Sequence, residues 1–172
     1  MTRCNGIDWR QKGMVLLISL VFLLALSLIG LASMQGAVSQ QKIAGSVWHR
    51  NQSFQSAESG LRLGESVVRK MGSALPLCQS IKTCAPPQEA YSVAGGGVNP
   101  VSAITWVAVK GGLYGVQSLG RADWPAEKPA ALFRVTSVGI TGQSRTVLET
   151  VYAQMGEAGG VRFRRVLWRQ LQ

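Results

Sequence analysis

Two hydrophobic patterns divide the chain. From Met14 to Met34 every position is apolar, small or hydroxyl-bearing, and none is charged. A helix over this run is about 31 Å long, enough to cross a hydrocarbon core. Arg3, Arg10 and Lys12 precede it, against the single acid Asp8. That asymmetry keeps residues 1–13 in the cytoplasm and sends the rest across. The run is long for the apolar part of a secretory signal peptide, and no clear A-x-A cleavage site follows it. Cys4 lies before the run, on the wrong side for a lipid-attachment cysteine.

After Gln35 the apolar positions become periodic. Val47, Phe54, Leu61 and Val68 recur every seven residues, and Ile43, Ala57, Gly64 and Met71 add a neighbouring stripe. This spacing is one face of a helix. Glu58 with Arg62 and Glu65 with Arg69 are i,i+4 pairs in the favourable order. The first proline of the chain is Pro76, so the spacing predicts one helix from about Met14 to Gly72. Gly60 and Gly64 weaken it locally but let another element approach closely.

Beyond Gly72 the period shortens. "AITWVAVK" (103–110) and "LYGVQS" (113–118) are joined by Gly111-Gly112, and "ALFRVTSVGI" (131–140) and "RTVLETVYAQ" (145–154) flank "TGQS". "VRFRRVLW" (161–168) follows "GEAGG". β-Branched and aromatic residues with short connections predict an antiparallel meander. The expected fold class is α+β, with a sheet of four to five strands packed on the apolar face of the helix and one small core. "APPQEAYSVAGGGVNP" (85–100) and "GRADWPAEKP" (120–129) read as surface loops, with Trp124 either a partner contact or a half-buried packing residue.

Composition adds little chemistry. The lone His49 falls on a polar side of the helix and is expected to be solvated, and the acids after Asp8 are scattered. Gly95 to Gly97 neither follow a clear strand nor open a helix, so they make no phosphate loop. No catalytic constellation, cofactor site or metal site is expected. The net charge is +10, and Arg162, Arg164, Arg165 and Arg169 crowd the last predicted strand. That basic surface suits nucleic acid. It equally suits an edge strand that resists aggregation or meets an acidic neighbouring subunit.

The junction "QKG|MVLLISLVFLL" resembles the type III signal sequence of type IV pilins and type II secretion pseudopilins. "MQGAVSQQKIAGSVWHRNQSFQSAESGLRLGE" is similar to the N-terminal region of PilX-type minor pilins, through Met34-Gln35, Ala44-Gly45, Arg50-Asn51 and Phe54 to Glu58. "FRVTSVGITGQSRTVLETVYA" is similar to that family's closing strand pair. The resemblance implies cleavage by a prepilin peptidase after Gly13 and methylation of the new N-terminus at Met14. It implies a ladle-shaped fold with a leader (1–13), a transmembrane and filament-core helix (14–34), an amphipathic second half (35–72) and an antiparallel β head (73–172). Once Cys4 leaves with the leader, Cys78 and Cys84 form an even pair, and an oxidising periplasm favours a disulfide.

The sequence departs from the pilin pattern at one position. Pilins usually carry glutamate five residues into the mature chain, and Ile18 stands there. The same absence marks the tip-associated GspK pseudopilin. The resemblance therefore implies a non-catalytic minor pilin of a priming or tip complex that initiates pilus assembly, with roles in adhesion and twitching motility following from the pilus. Its partners would be other minor pilins and the major pilin through the helix, the peptidase and the inner membrane. Its head would be periplasmic before entering the pilus. The alternatives are a pilus-displayed adhesion or DNA-binding module, an unprocessed signal-anchored periplasmic protein, and a type II secretion pseudopilin.

Overall fold

The computed structural model describes residues 12–123, 129–157 and 160–172. Trp124 lies outside the described residues, as do Arg3, Cys4, Asp8 and Arg10. Helix α1 covers Lys12–Met71. Chain contacts define two units, divided between Gly45 and Ser46. In the first unit the side chains from Met14 to Ala44 are exposed on every side of the helix.

In the second unit the rest of α1 packs on a sheet. The strands are β1 (Gly97–Val98), β2 (Thr105–Val109), β3 (Gly112–Ala122), β4 (Ala130–Thr141), β5 (Ser144–Glu157) and β6 (Gly160–Gln170). They pair in chain order and every pairing is antiparallel. The arrangement is α+β as expected, but with six strands. The additional strand, β1, is only two residues long and sits inside the stretch read as a loop. A two-residue strand carries no alternation for a pattern to reveal.

The helical stripe works over part of its length. Ala57, Leu61 and Val68 are buried with Phe133, Val135, Leu148 and Tyr152, and Phe54 packs beside them. Val47, Ile43 and Met71 are exposed instead. The Glu65–Arg69 pair closes at 2.8 Å; among the described residues Glu58 and Arg62 form no ion pair. Close approach is set by glycines on both partners. A Cβ on Gly60 would lie 2.2 Å from Ser137 Oγ, and one on Gly64 would lie 2.3 Å from Val135 Cγ1. From the sheet side, a Cβ on Gly139 would lie 1.8 Å from the Ser53 carbonyl oxygen. The Ser53 and Thr146 hydroxyls are hydrogen-bonded at 2.8 Å within this contact.

The opposite face of the sheet is covered too, which corrects the expectation of one small core. Ala90, Ile104, Trp106, Leu113, Val138 and Val147 form a second buried cluster there. Residues 85–100 are therefore not a bare surface loop. They contain a 3-10 turn, Gln88–Tyr91, whose Ala90 is fully buried. Arg145 Nη1 donates to the carbonyls of Ala90 (3.2 Å) and Val93 (2.9 Å) and ties this stretch to β5. A strand buried on both faces loses the hydrophobic alternation that marks a one-sided sheet, and in β4 the positions from Val135 to Gly139 are all buried. The stretch read as a second loop, 120–129, also begins inside β3, which continues to Ala122 past a bulge between Ser118 and Gly120. Gly120 supplies the φ of +92° that the bulge requires.

His49 is half-buried rather than solvated. Its ring packs against Gly142 in the β4–β5 turn and meets Trp48 edge-on at 4.9 Å.

Candidate assembly helix, disulfide segment and basic edge

The junction read from the sequence as a processing site, Gly13-Met14, lies at the start of α1. A Cβ at Gly13 would have open space around it, and Met14 is exposed. Ile18 is exposed on the same apolar cylinder, which holds no titratable group from Met14 to Met34. The Ser19 hydroxyl donates to the Leu16 carbonyl (2.9 Å) and the Ser27 hydroxyl to the Leu23 carbonyl (2.8 Å). These polar atoms are thus satisfied within the helix, which suits a setting without water. The helix is long and apolar enough to cross a membrane, and none of its most apolar stretch is buried in the protein.

Cys78 and Cys84 are joined by a disulfide, with Cα atoms 5.2 Å apart. The loop between them holds one helical turn, α2 (Ile81–Cys84). Ser80 and Thr83 cap it reciprocally: the Thr83 amide donates to Ser80 Oγ at 3.2 Å and the Ser80 amide to Thr83 Oγ1 at 2.9 Å. Polar side chains from the sheet then hold this segment. Gln117 Nε2 donates to the carbonyls of Thr83 (2.7 Å) and Ala85 (3.2 Å), and Arg134 Nη1 donates to the Cys84 carbonyl (2.6 Å). The Cys78 amide donates to the Ser118 carbonyl at 3.0 Å.

Arg134 belongs to a charge relay across three strands. Its Nε lies 3.5 Å from Glu149 Oε2 on β5, and Glu149 is fully buried. Arg169 on β6 donates to Glu149 Oε1 from Nε (3.1 Å) and reaches it from Nη2 (3.0 Å). Burial lowers the Arg134 pKa; Glu149 works against that, and the like charge of Arg169 adds to it. The sequence signal was a single carboxylate inside the apolar run "TVLETVYA", whose partners on other strands only pairing could supply.

On the helix face a second cluster joins α1 to β5 and β6. Tyr152 Oη donates to Glu65 Oε2 at 3.1 Å, and Arg165 Nη2 lies 3.7 Å from the same oxygen. Arg165 also donates to Tyr152 Oη (3.1 Å) and lies over the Tyr152 ring. Burial opposes ionisation of Glu65, but hydrogen bonds from Arg69 and Tyr152 and the charges of Arg69 and Arg165 outweigh it. The carboxyl is held below its usual range. The unfolded chain therefore binds a proton at a higher pH than the folded one does, so this stabilisation is present above the unfolded value and lost as pH falls through the folded one. Glu65→Gln is expected to cost about 1 kcal/mol at pH 7 and to flatten the decline in stability below about pH 5. Denaturant unfolding of the detergent-solubilised protein across pH 3–7 measures both; parallel acid profiles for the two proteins would contradict it.

The basic residues of β6 do not form one stripe. Arg165 stands opposite Tyr152 on the helix face, whereas Arg162, Arg164 and Arg169 stand opposite Met155, Ala153 and Glu149 on the other. The pleat parts Arg165 from its neighbour Arg164, and a bulge between Val151 and Tyr152 shifts the register beyond Arg165, so that Arg169 falls on the face of Arg162 and Arg164. Arg165 and Arg169 have carboxylate partners in Glu65 and Glu149. Among the described residues no group of three or more His, Cys, Asp and Glu side chains converges to hold a metal.

Residues 12–62 match the family model described as PilX N-terminal. This stretch of the chain is similar to the N-terminal domain of PilX-type pilins. Comparison with curated proteins and with solved structures gives no match. The family match covers most of α1 and ends before the sheet begins. A PilX-type chain is a minor pilin of the type IV pilus, a structural family that associates with other pilus components. In this chain the apolar helix from Gly13 is the element suited to membrane anchoring, and it lies within the PilX-like stretch.

Proposed function

We propose that this pilin is a non-catalytic subunit of the complex that primes type IV pilus assembly, placed at or near the pilus tip. A prepilin peptidase cuts after Gly13, Met14 becomes the methylated N-terminus, and the anchor is kept. The helix first holds the subunit in the inner membrane with its head in the periplasm. It then packs against other minor pilins and the major pilin. The observation that carries this reading is Ile18, an apolar residue in the family-matched helix where pilins usually carry a carboxylate. A subunit with nothing beyond it has no neighbouring N-terminal amine for that carboxylate to engage. Omitting the acid also removes a cost of about 2.5–3.5 kcal/mol at a membrane centre, and less near an end.

The test expresses the protein and its Gly13→Val variant beside a complete pilus machinery. The wild-type mass should correspond to a methylated chain starting at Met14, with immunogold label confined to the ends of sheared pili. Gly13→Val should keep the full-length mass and the membrane insertion but yield no labelled pili. A variant mass starting at Met14 would refute the processing step. Even labelling of the wild-type protein along the shaft would refute the tip placement.

A further inference from the structure

We propose that the outer edge of β6 is a strand-addition site for an extended acidic segment of another protein subunit. This goes beyond the pilus reading and does not depend on it. β6 is the last strand in the sheet order, and among the described residues no strand lies on its outer side. It is 11 residues long, about 37 Å of edge. The opposite end of the sheet offers only the two residues of β1. The chain after β6 leaves this edge open. The Leu171 amide donates to the Val147 carbonyl (2.8 Å) and the Val147 amide to the Gln172 carbonyl (3.0 Å), so the tail stays on the β5 side.

The side chains specify the occupant. Val161, Leu167 and Trp168 are 57%, 40% and 44% exposed and give an added strand apolar contacts. Arg162, Arg164, Arg165 and Arg169 are exposed as well and occupy both faces of β6. A second copy of this chain pairing edge to edge would set arginine against arginine, which disfavours self-association. A strand bearing carboxylates at alternate positions presents them on one face, where they meet the arginines of the Arg164 side with the opposite charge. Arg164 has no ion-pair partner among the described residues, whereas Glu65 and Glu149 already balance Arg165 and Arg169. Arg164 is therefore the natural anchor for an external acid. Backbone pairing supplies the affinity, and the alternating side chains supply the selectivity.

Strand addition differs from simple charge attraction in needing amides on one edge of the ligand. The test uses the full chain in detergent micelles and a labelled peptide as long as β6, alternating glutamate with valine and threonine. Two further peptides carry N-methyl groups on odd or on even residues. Fluorescence anisotropy should show binding of the parent peptide. One methylated form should bind at least about tenfold more weakly, and the other should bind like the parent, because only one set of amides faces β6. Amide hydrogen exchange should slow over residues 160–170. Arg164→Glu should weaken binding by at least about tenfold. Equal binding of both methylated peptides would overturn the proposal in favour of bare electrostatic attraction. Absence of binding would overturn it too, as would displacement of the peptide by a short DNA duplex that binds more tightly.

Discussion

Glu149→Ala should destabilise the protein by about 3–5 kcal/mol, the range for breaking a buried ion pair from one side. Glu149 is fully buried and the Arg134 side chain is only 12% exposed. Removing the carboxylate leaves the guanidinium inside the fold with its charge uncompensated. Arg169 is less affected, since its side chain is 45% exposed and can turn to water. Arg134 also holds the Cys84 carbonyl, so the disulfide segment should loosen along with the pair. Limited proteolysis between residues 77 and 104 is expected to speed up in step with the loss of stability. The double variant Arg134→Met/Glu149→Leu should recover much of the loss, because apolar side chains of similar volume remove both desolvation costs. Denaturant midpoints of the three detergent-solubilised proteins decide this. A single variant within about 1 kcal/mol of the wild type would show that the relay contributes no more than a surface pair.

Gly139→Ala should cost about 3 kcal/mol or more, at the top of the range for overpacking. Its Cβ would fall 1.8 Å from the Ser53 carbonyl oxygen and 2.8 Å from the Ala57 amide nitrogen. Both are backbone atoms of α1, and neither can rotate aside. The helix must lift from the sheet, which strains the Ser53–Thr146 hydrogen bond and the packing of Ala57. Gly64→Ala is the informative contrast. The nearest atom there is a valine methyl at 2.3 Å, which belongs to a side chain, and alanine also gains about 1 kcal/mol of helix propensity. Gly45→Ala meets nothing within 4 Å and should be neutral or slightly stabilising. Unfolding free energies should therefore rank Gly139→Ala lowest, Gly64→Ala intermediate and Gly45→Ala at or above the wild type. Equal costs at positions 139 and 64 would contradict the backbone contact as the cause.

Local chemistry was readable where it was periodic or punctuated. The run from Met14 to Met34 announced a helix because nothing in it needs water or breaks a helical ladder. Phe54, Ala57, Leu61 and Val68 announced its packed face by their spacing. Gly111-Gly112 and "TGQS" announced tight turns, and the structure places φ values of +78° at Gly111 and +58° at Gly142. The charged positions were less readable. "FRRVLWR" looked like one basic surface, yet the pleat and the bulge send Arg165 to one face and Arg164 and Arg169 to the other.

The sequence by itself therefore determined the apolar helix, the meander and the resemblance to a pilin N-terminus, because each is written in neighbouring residues at a fixed period. Only the tertiary structure decided that the sheet is covered on both faces, that Glu149 sits between Arg134 and Arg169, and that Gly139 admits the helix backbone. Those features join residues far apart in the chain, and their energies depend on burial and on distances of a few ångströms. A strand buried on both sides shows no alternation, and a lone carboxylate carries no mark of the partner that will neutralise it. The edge of β6 belongs to both accounts: its arginines are plain in the sequence, and its open side exists only once five other strands have taken their places.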